Sequence, residues 1–60
     1  MDLKTLLNTI DGKEQITIIN HSDLKRLYRG EKLLVNNVPL CADVVGIHTT
    51  EGKIVIEITY

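Results

Sequence analysis

Aromatic residues, cysteine and proline are nearly missing from this 60-residue sequence, which has two tyrosines, one cysteine, one proline, and no phenylalanine or tryptophan. With so few aromatic residues, the core must be built from Ile, Leu and Val. A single cysteine, Cys41, excludes an intrachain disulfide, which fits a reducing cytoplasm. Because a lone cysteine in an apolar segment is more often a small buried residue than a reactive thiol, we predict that Cys41 is buried.

The sequence also lacks an excess of either charge and any long apolar run. Seven basic and eight acidic side chains give a net charge of −1, so no global field attracts nucleic acid or a membrane. Uninterrupted apolar runs span only a few residues, far fewer than the ~20 that a membrane helix needs. The N-terminal segment has spaced apolar positions and no small-residue cleavage site, so we predict no signal peptide and a cytoplasmic location.

The length limits the chain to one domain, residues 1–60. A chain this short buries only ~60% of the surface that its unfolded form exposes, so its stability is marginal. Small folds often add a disulfide, a metal or a partner chain. The disulfide is excluded and the zinc-type Cys/His spacings are absent, which leaves self-association open.

The N-terminal segment has the pattern of a helix followed by a strand. Its apolar residues fall at i, i+3, i+4 and i+7, namely at Leu3, Leu6, Leu7 and Ile10. Asp2 is placed to cap this helix and Gly12 to end it. A helix of barely three turns does not hold alone in water, so it must dock. The β-branched segment Gln15–Asn20 then predicts a strand.

Residues 24–35 allow two interpretations. One is a single helix capped by Ser22, but Gly30 would then cost about 1 kcal/mol in mid-helix relative to alanine. The other is a strand over residues 24–29, closed by Gly30, followed by a short helix over residues 31–36. We prefer the strand and short helix, with the polar residues 20–23 as a hairpin loop.

Residues 44–60 have the clearest pattern, that of an amphipathic β-hairpin. Glu51-Gly52 is a candidate two-residue turn, with Gly52 at positive φ. This turn predicts three pairs on one apolar face, Thr49 with Ile54, Ile47 with Ile56, and Val45 with Ile58. The opposite, mixed face would pair His48 with Val55, Gly46 with Glu57, and Val44 with Thr59.

Together these elements predict an α+β fold. It has a mostly antiparallel four-stranded sheet made of two hairpins, with the N-terminal helix packed on one face and the short second helix between the hairpins.

The sequence contains none of the common catalytic or phosphate-loop motifs, so we expect no enzymatic activity, no cofactor and no metal. A chain of this size also has little room for a walled pocket of ~300 Å³ or more. His21 and His48 would permit metal binding or a proton switch, but we expect plain surface imidazoles because no third ligand is indicated.

Four of the seven basic residues lie within eight positions. With the aromatic ring of Tyr28 among them they form a candidate binding segment: Lys25, Arg26, Tyr28, Arg29 and Lys32. On a strand, Arg26 and Tyr28 would share one face, with Lys25 and Arg29 on the other. Such a segment would contact phosphates or an acidic protein surface, or would simply be a charged edge that blocks aggregation.

Four stretches span most of the chain: LKTLLNTI, QITII, LYRG followed by a Leu pair, and VVGI with EGKIVIEI. Together they resemble a diffuse group of small phage and prophage proteins of Gram-positive bacteria. The resemblance implies a phage accessory role in a bacterial host cell, and it transfers no catalytic residue.

Three functions follow as hypotheses. The first is a non-catalytic interaction module, which would bind and inhibit a host defence factor and form a homo-oligomer through the hairpin edge. The second is an oligomer that sequesters a nucleotide-like phosphorylated ligand. The third is nucleic-acid binding through residues 25–32, which the slightly negative net charge makes the weakest.

Overall fold

A computed structural model describes all residues, Met1–Tyr60. It contains one short helix, one 3₁₀ turn and four strands, which confirms the predicted α+β class. The elements are α1 (Leu3–Leu7), β1 (Gln15–Asn20), β2 (Arg26–Glu31), the 3₁₀ turn (Lys32–Leu34), β3 (Asp43–Thr50) and β4 (Lys53–Thr59).

The four strands form a single sheet in the order β2-β1-β4-β3. The predicted hairpins, β1–β2 and β3–β4, are antiparallel. They are joined in the centre by parallel pairing of β1 with β4, in which Ile16 lies beside Ile54 and Ile18 beside Ile56. The sheet is therefore mixed and mostly antiparallel, with β2 and β3 as its edges.

The core lies between one face of this sheet and α1, and it is purely aliphatic, as predicted. Eight buried residues form it: Leu3, Leu6, Leu7, Ile16, Ile18, Ala42, Ile56 and Ile58. Two backbone hydrogen bonds fix the N-terminus against the start of β3. The Leu3 amide donates to the Ala42 carbonyl at 2.9 Å, and the Val44 amide donates to the Met1 carbonyl at 3.0 Å.

The helix is shorter than the sequence predicts. Asp2 caps it by accepting a 2.8 Å hydrogen bond from the Thr5 amide, and its hydrogen bonds with Thr5 hold the pKa of the Asp2 carboxyl below its ordinary value. The helix ends at Leu7, before Gly12, because the amides of Thr9 and Ile10 bond three residues back, which tightens the backbone into 3₁₀ geometry.

The strand interpretation of residues 24–35 is confirmed, with three corrections. The strand starts at Arg26 and includes Gly30, so Gly30 is not its boundary. The register shifts between Ile18 and Ile19, which leaves Leu27 as the extra residue of a β-bulge. The short helix is only a single 3₁₀ turn.

The C-terminal hairpin closes on the predicted turn. Glu51 and Gly52 both have positive φ, 51° and 76°, as a type I′ turn requires. The predicted pairs Thr49 with Ile54, Ile47 with Ile56, His48 with Val55, and Gly46 with Glu57 are all present.

Beyond Gly46 the predicted register is wrong. A bulge at Val45 pairs Val44 with Ile58 and Asp43 with Thr59. Nor does the whole predicted face enter the core, because Thr49 is exposed and Val45 and Ile47 are 49% and 51% exposed. The bulge gives the place opposite Ile58 to Val44, which packs against the core, in place of Val45. Ile47 lies opposite Ile56 on the outermost strand, and the five-residue helix is too short to cover it.

Cys41 is exposed, so its predicted burial is wrong. The next residue, Ala42, takes the buried position in this segment instead. None of the helices combines the length and the apolar character needed to cross a bilayer.

Candidate interaction surfaces

The sheet distributes the candidate binding segment over two sides of the molecule. Arg26 pairs with Ile19 and Arg29 pairs with Thr17, and directly paired residues share a face. This is the face opposite α1, which we call the open face. Tyr28 pairs with Ile18 and therefore lies on the helix side. The prediction that Arg26 and Tyr28 share a face is wrong, because the bulge at Leu27 reverses the alternation between them.

Tyr28 is not available as a stacking surface among the arginines. It packs against the core, and its hydroxyl donates a 2.6 Å hydrogen bond to the carbonyl of Glu31. Lys25 lies in the turn before β2, where its amide donates to Asp23 Oδ1 at 2.9 Å. Of the five predicted residues, only Arg26 and Arg29 form a pair on one surface.

The open face brings together two histidines and one carboxylate. His21 Nδ1 lies 2.9 Å from Glu57 Oε1, and His48 Nδ1 lies 3.9 Å from Glu57 Oε2. His21 reaches this place because its amide donates to the carbonyl of Ile58 at 2.7 Å, which continues β1 alongside β4. Both imidazoles are exposed, as expected, but their shared contact with Glu57 is absent from the sequence prediction. The protein has no group of three or more His, Cys, Asp or Glu positioned to hold a metal ion.

On the helix side, a cleft of about 250 Å³ separates α1 from residues 32–40. Two backbone hydrogen bonds position its walls: the Lys4 amide donates to the Leu40 carbonyl at 3.0 Å, and the Leu33 amide donates to the Gly12 carbonyl at 2.9 Å. Its lining is mainly aliphatic with two lysines and no acidic residue, consisting of Lys4, Leu7, Asn8, Lys32, Leu33, Val35 and Leu40. We call it the lysine cleft.

This cleft was not predicted from the sequence, although one signal was present. Leu33 and Leu34 are adjacent, so a single turn cannot bury both of them, and in the structure both are exposed. The second hollow, beside the β3–β4 turn, is wider, and the acidic residues Asp11 and Glu14 are among its lining residues.

The two edges of the sheet differ in chemistry. The edge strand β2 has six residues, including two arginines and a bulge, which are features that discourage pairing with another chain. The edge strand β3 has eight residues, of which Asp43 and Val44 already bond to Asp2 and Met1, and the rest of it contains no Lys, Arg, Asp or Glu. Its exposed Val45 and Ile47 are β-branched and favour strand pairing.

Comparison with known proteins finds no match: no family model fits the sequence, and no curated protein or solved structure is significantly similar to it.

Proposed function

We propose that this protein is a non-catalytic interaction module that pairs with a second copy of itself through β3. The observation that carries the proposal is the outer edge of β3, which is uncharged between Asp43 and Glu51 and exposes half of Val45 and half of Ile47. An exposed strand edge offers unpaired N–H and C=O groups, and long apolar edges of this kind associate with other strands.

The size of the core supports the same proposal. Only nine of 60 residues are buried, and large hydrophobic side chains such as Leu24, Leu33, Leu34, Val45 and Ile47 remain exposed. A small domain with so little buried surface gains stability from association. Pairing of β3 with β3 of a second copy would make a continuous eight-stranded sheet and place the side chains of the partner strand beside Val45 and Ile47.

The resemblance to small phage proteins adds a biological expectation to this module. It suggests that the dimer acts in a bacterial host cell by binding a host factor and inhibiting it. The absence of a catalytic motif in the sequence fits a role that depends on binding alone.

Light scattering after size exclusion tests self-association. We expect a mass of twice 6.8 kDa for the natural sequence, and a shift to 6.8 kDa for Ile47→Lys, because a charge at the centre of the edge opposes pairing. Leu24→Lys is the matched control. Leu24 is also a large exposed aliphatic residue, but it lies in the loop before β2. A monomeric natural protein, or equal effects of the two lysine variants, would contradict the proposal.

A second candidate function, binding of a phosphorylated ligand, is favoured by the two arginines on the open face. Arg26 and Arg29 are exposed and form no ion pair, so their guanidinium groups are free for phosphate oxygens. A copurified nucleotide seen by native mass spectrometry, and lost in Arg26→Ala or Arg29→Ala, would support this function. A clean mass of the ligand-free protein would count against it.

Nucleic-acid binding through the same two arginines is the third candidate. It requires an affinity that falls steeply as salt rises, because each phosphate contact releases counterions. A titration with labelled oligonucleotides at two salt concentrations separates it from the other functions, and no binding at low salt would exclude it.

A further inference from the structure

We infer that the lysine cleft binds an apolar side chain of a partner protein that carries carboxylates on either side of that side chain. The inference names the partner chemistry of the interaction module proposed above, at a surface separate from β3. It therefore stands or falls on different measurements from those that test the dimer.

The apolar part of the cleft is concave and only partly filled by the chain itself. Leu7 is buried at its base and Val35 is partly buried, while Leu33 and Leu40 are 71% and 43% exposed. Covering these two leucines removes apolar surface from water, which is the main favourable term of protein association. An aliphatic side chain between them would do this without any rearrangement of the fold.

The charges around the cleft indicate which charge the partner carries beside its apolar side chain. Lys4 and Lys32 line it from two different elements, and no acidic residue lines it. Neither lysine has a carboxylate within 4.0 Å. The contacts between basic side chains and carboxylates in the structure are those of His21 and His48 with Glu57. Two cations without partners beside an apolar cleft are complementary to carboxylates beside an apolar side chain.

The dimensions favour a protein segment over a cofactor or a membrane. At about 250 Å³ the cleft is smaller than the ~300–1,000 Å³ typical of small-molecule sites, and it fits one or two side chains. Recognition of anionic lipids generally uses about four to eight clustered basic residues, whereas this cleft has two.

The test is an NMR titration of the ¹⁵N-labelled protein with capped six-residue peptides. The probe has two central leucines and two glutamates on each side. One comparison peptide has lysines in place of the glutamates, and a second has serines in place of the leucines. We expect the probe alone to shift the amide signals of Leu7, Leu33, Val35 and Leu40, with an affinity that weakens as salt rises.

Charge-reversal variants locate the contact. Lys4→Glu combined with Lys32→Glu should weaken probe binding by at least about tenfold, since two attractions become repulsions. The matched control is Lys13→Glu combined with Lys53→Glu, which makes the same charge change at exposed lysines outside the cleft and should leave binding unchanged.

Several results would overturn the inference. They are the absence of amide shifts with the probe at about 5 mM, equal shifts with the lysine peptide, and equal losses in the two double variants. Shifts of the same cleft residues with anionic phosphatidylglycerol vesicles but not with the probe would replace the protein partner by a lipid surface. Repeating the titration in Ile47→Lys keeps the result independent of β3 pairing.

Discussion

The side chain of Tyr28 lies over Gly30, and its hydroxyl donates a 2.6 Å hydrogen bond to the carbonyl of Glu31. Gly30 has a φ of +150°, and a Cβ at this position would lie 2.9 Å from the Tyr28 hydroxyl oxygen. A glycine is therefore required here for two reasons: other residues disfavour this backbone conformation, and a Cβ would collide with the Tyr28 hydroxyl.

Gly30→Ala should destabilise the fold by about 1–3 kcal/mol, because alanine is strained at this φ and meets the Tyr28 hydroxyl. Urea denaturation monitored by circular dichroism measures the loss. Gly46→Ala is the control, since its Cβ would meet Glu57 Oε2 at an ordinary 3.5 Å. Tyr28→Phe, placed in the Gly30→Ala background, should recover part of the loss. Equal denaturation midpoints for the two alanine variants would refute this account of Gly30.

Glu51→Asn should stabilise the fold by about 0.5–1 kcal/mol. Glu51 holds φ at 51° in the type I′ turn, and asparagine tolerates this left-handed conformation better than glutamate does. In a domain of this size the gain corresponds to a rise in Tm of roughly 4–8 °C per kcal/mol. Glu14→Asn, an exposed glutamate without positive φ, controls for the change of charge. A Tm that falls in Glu51→Asn would show that the turn type is wrong.

Protonation of the Asp2 carboxyl, which weakens its cap on the helix, should occur only at acid pH. The pKa of Asp2 is lowered in the folded state by its hydrogen bonds with Thr5. A carboxyl whose pKa is lower in the folded state stabilises the fold at pH values above its unfolded-state pKa. This contribution is lost as the pH falls through the folded-state pKa. The Thr5 amide signal should therefore titrate below the usual range of an aspartate. In Asp2→Asn this low-pH transition of Thr5 should vanish, and its persistence would assign it to another group.

Cys41 should react readily with a thiol reagent in the native state, because the structure places it at the surface. We expect one thiol per chain to be modified by an aromatic disulfide reagent without denaturant, at a rate close to that in urea. A thiol that reacts only after denaturation would restore the burial that the sequence predicted.

Local patterns carried most of the fold prediction. The Glu51-Gly52 turn and the alternation of Ile54, Ile56 and Ile58 involve neighbours in sequence, so they define the hairpin without knowledge of the rest. The bulges at Leu27 and Val45 escaped prediction, because an extra residue in a strand has no compositional signal. Each bulge then reversed the faces of the residues beyond it.

The candidate site was harder to predict from the sequence, because it depends on contacts between residues that are far apart in the chain. Lys4 and Lys32 meet at one cleft only because residues 12–14 bond to the 3₁₀ turn and Leu40 bonds to α1. His21 meets Glu57 only through the parallel pairing of β1 with β4. The basic run around Tyr28 was conspicuous in sequence, yet the fold assigns its members to different surfaces.

Amide hydrogen exchange at two protein concentrations tests the central claim, β3 pairing, most directly. In a monomer, the outward amides of residues 45–50 lack partners and exchange fast. We predict that these amides become protected between about 10 µM and about 1 mM protein, while the outer amides of β2 do not change. Exchange that is independent of concentration along β3, or protection gained at β2 instead, would contradict the account.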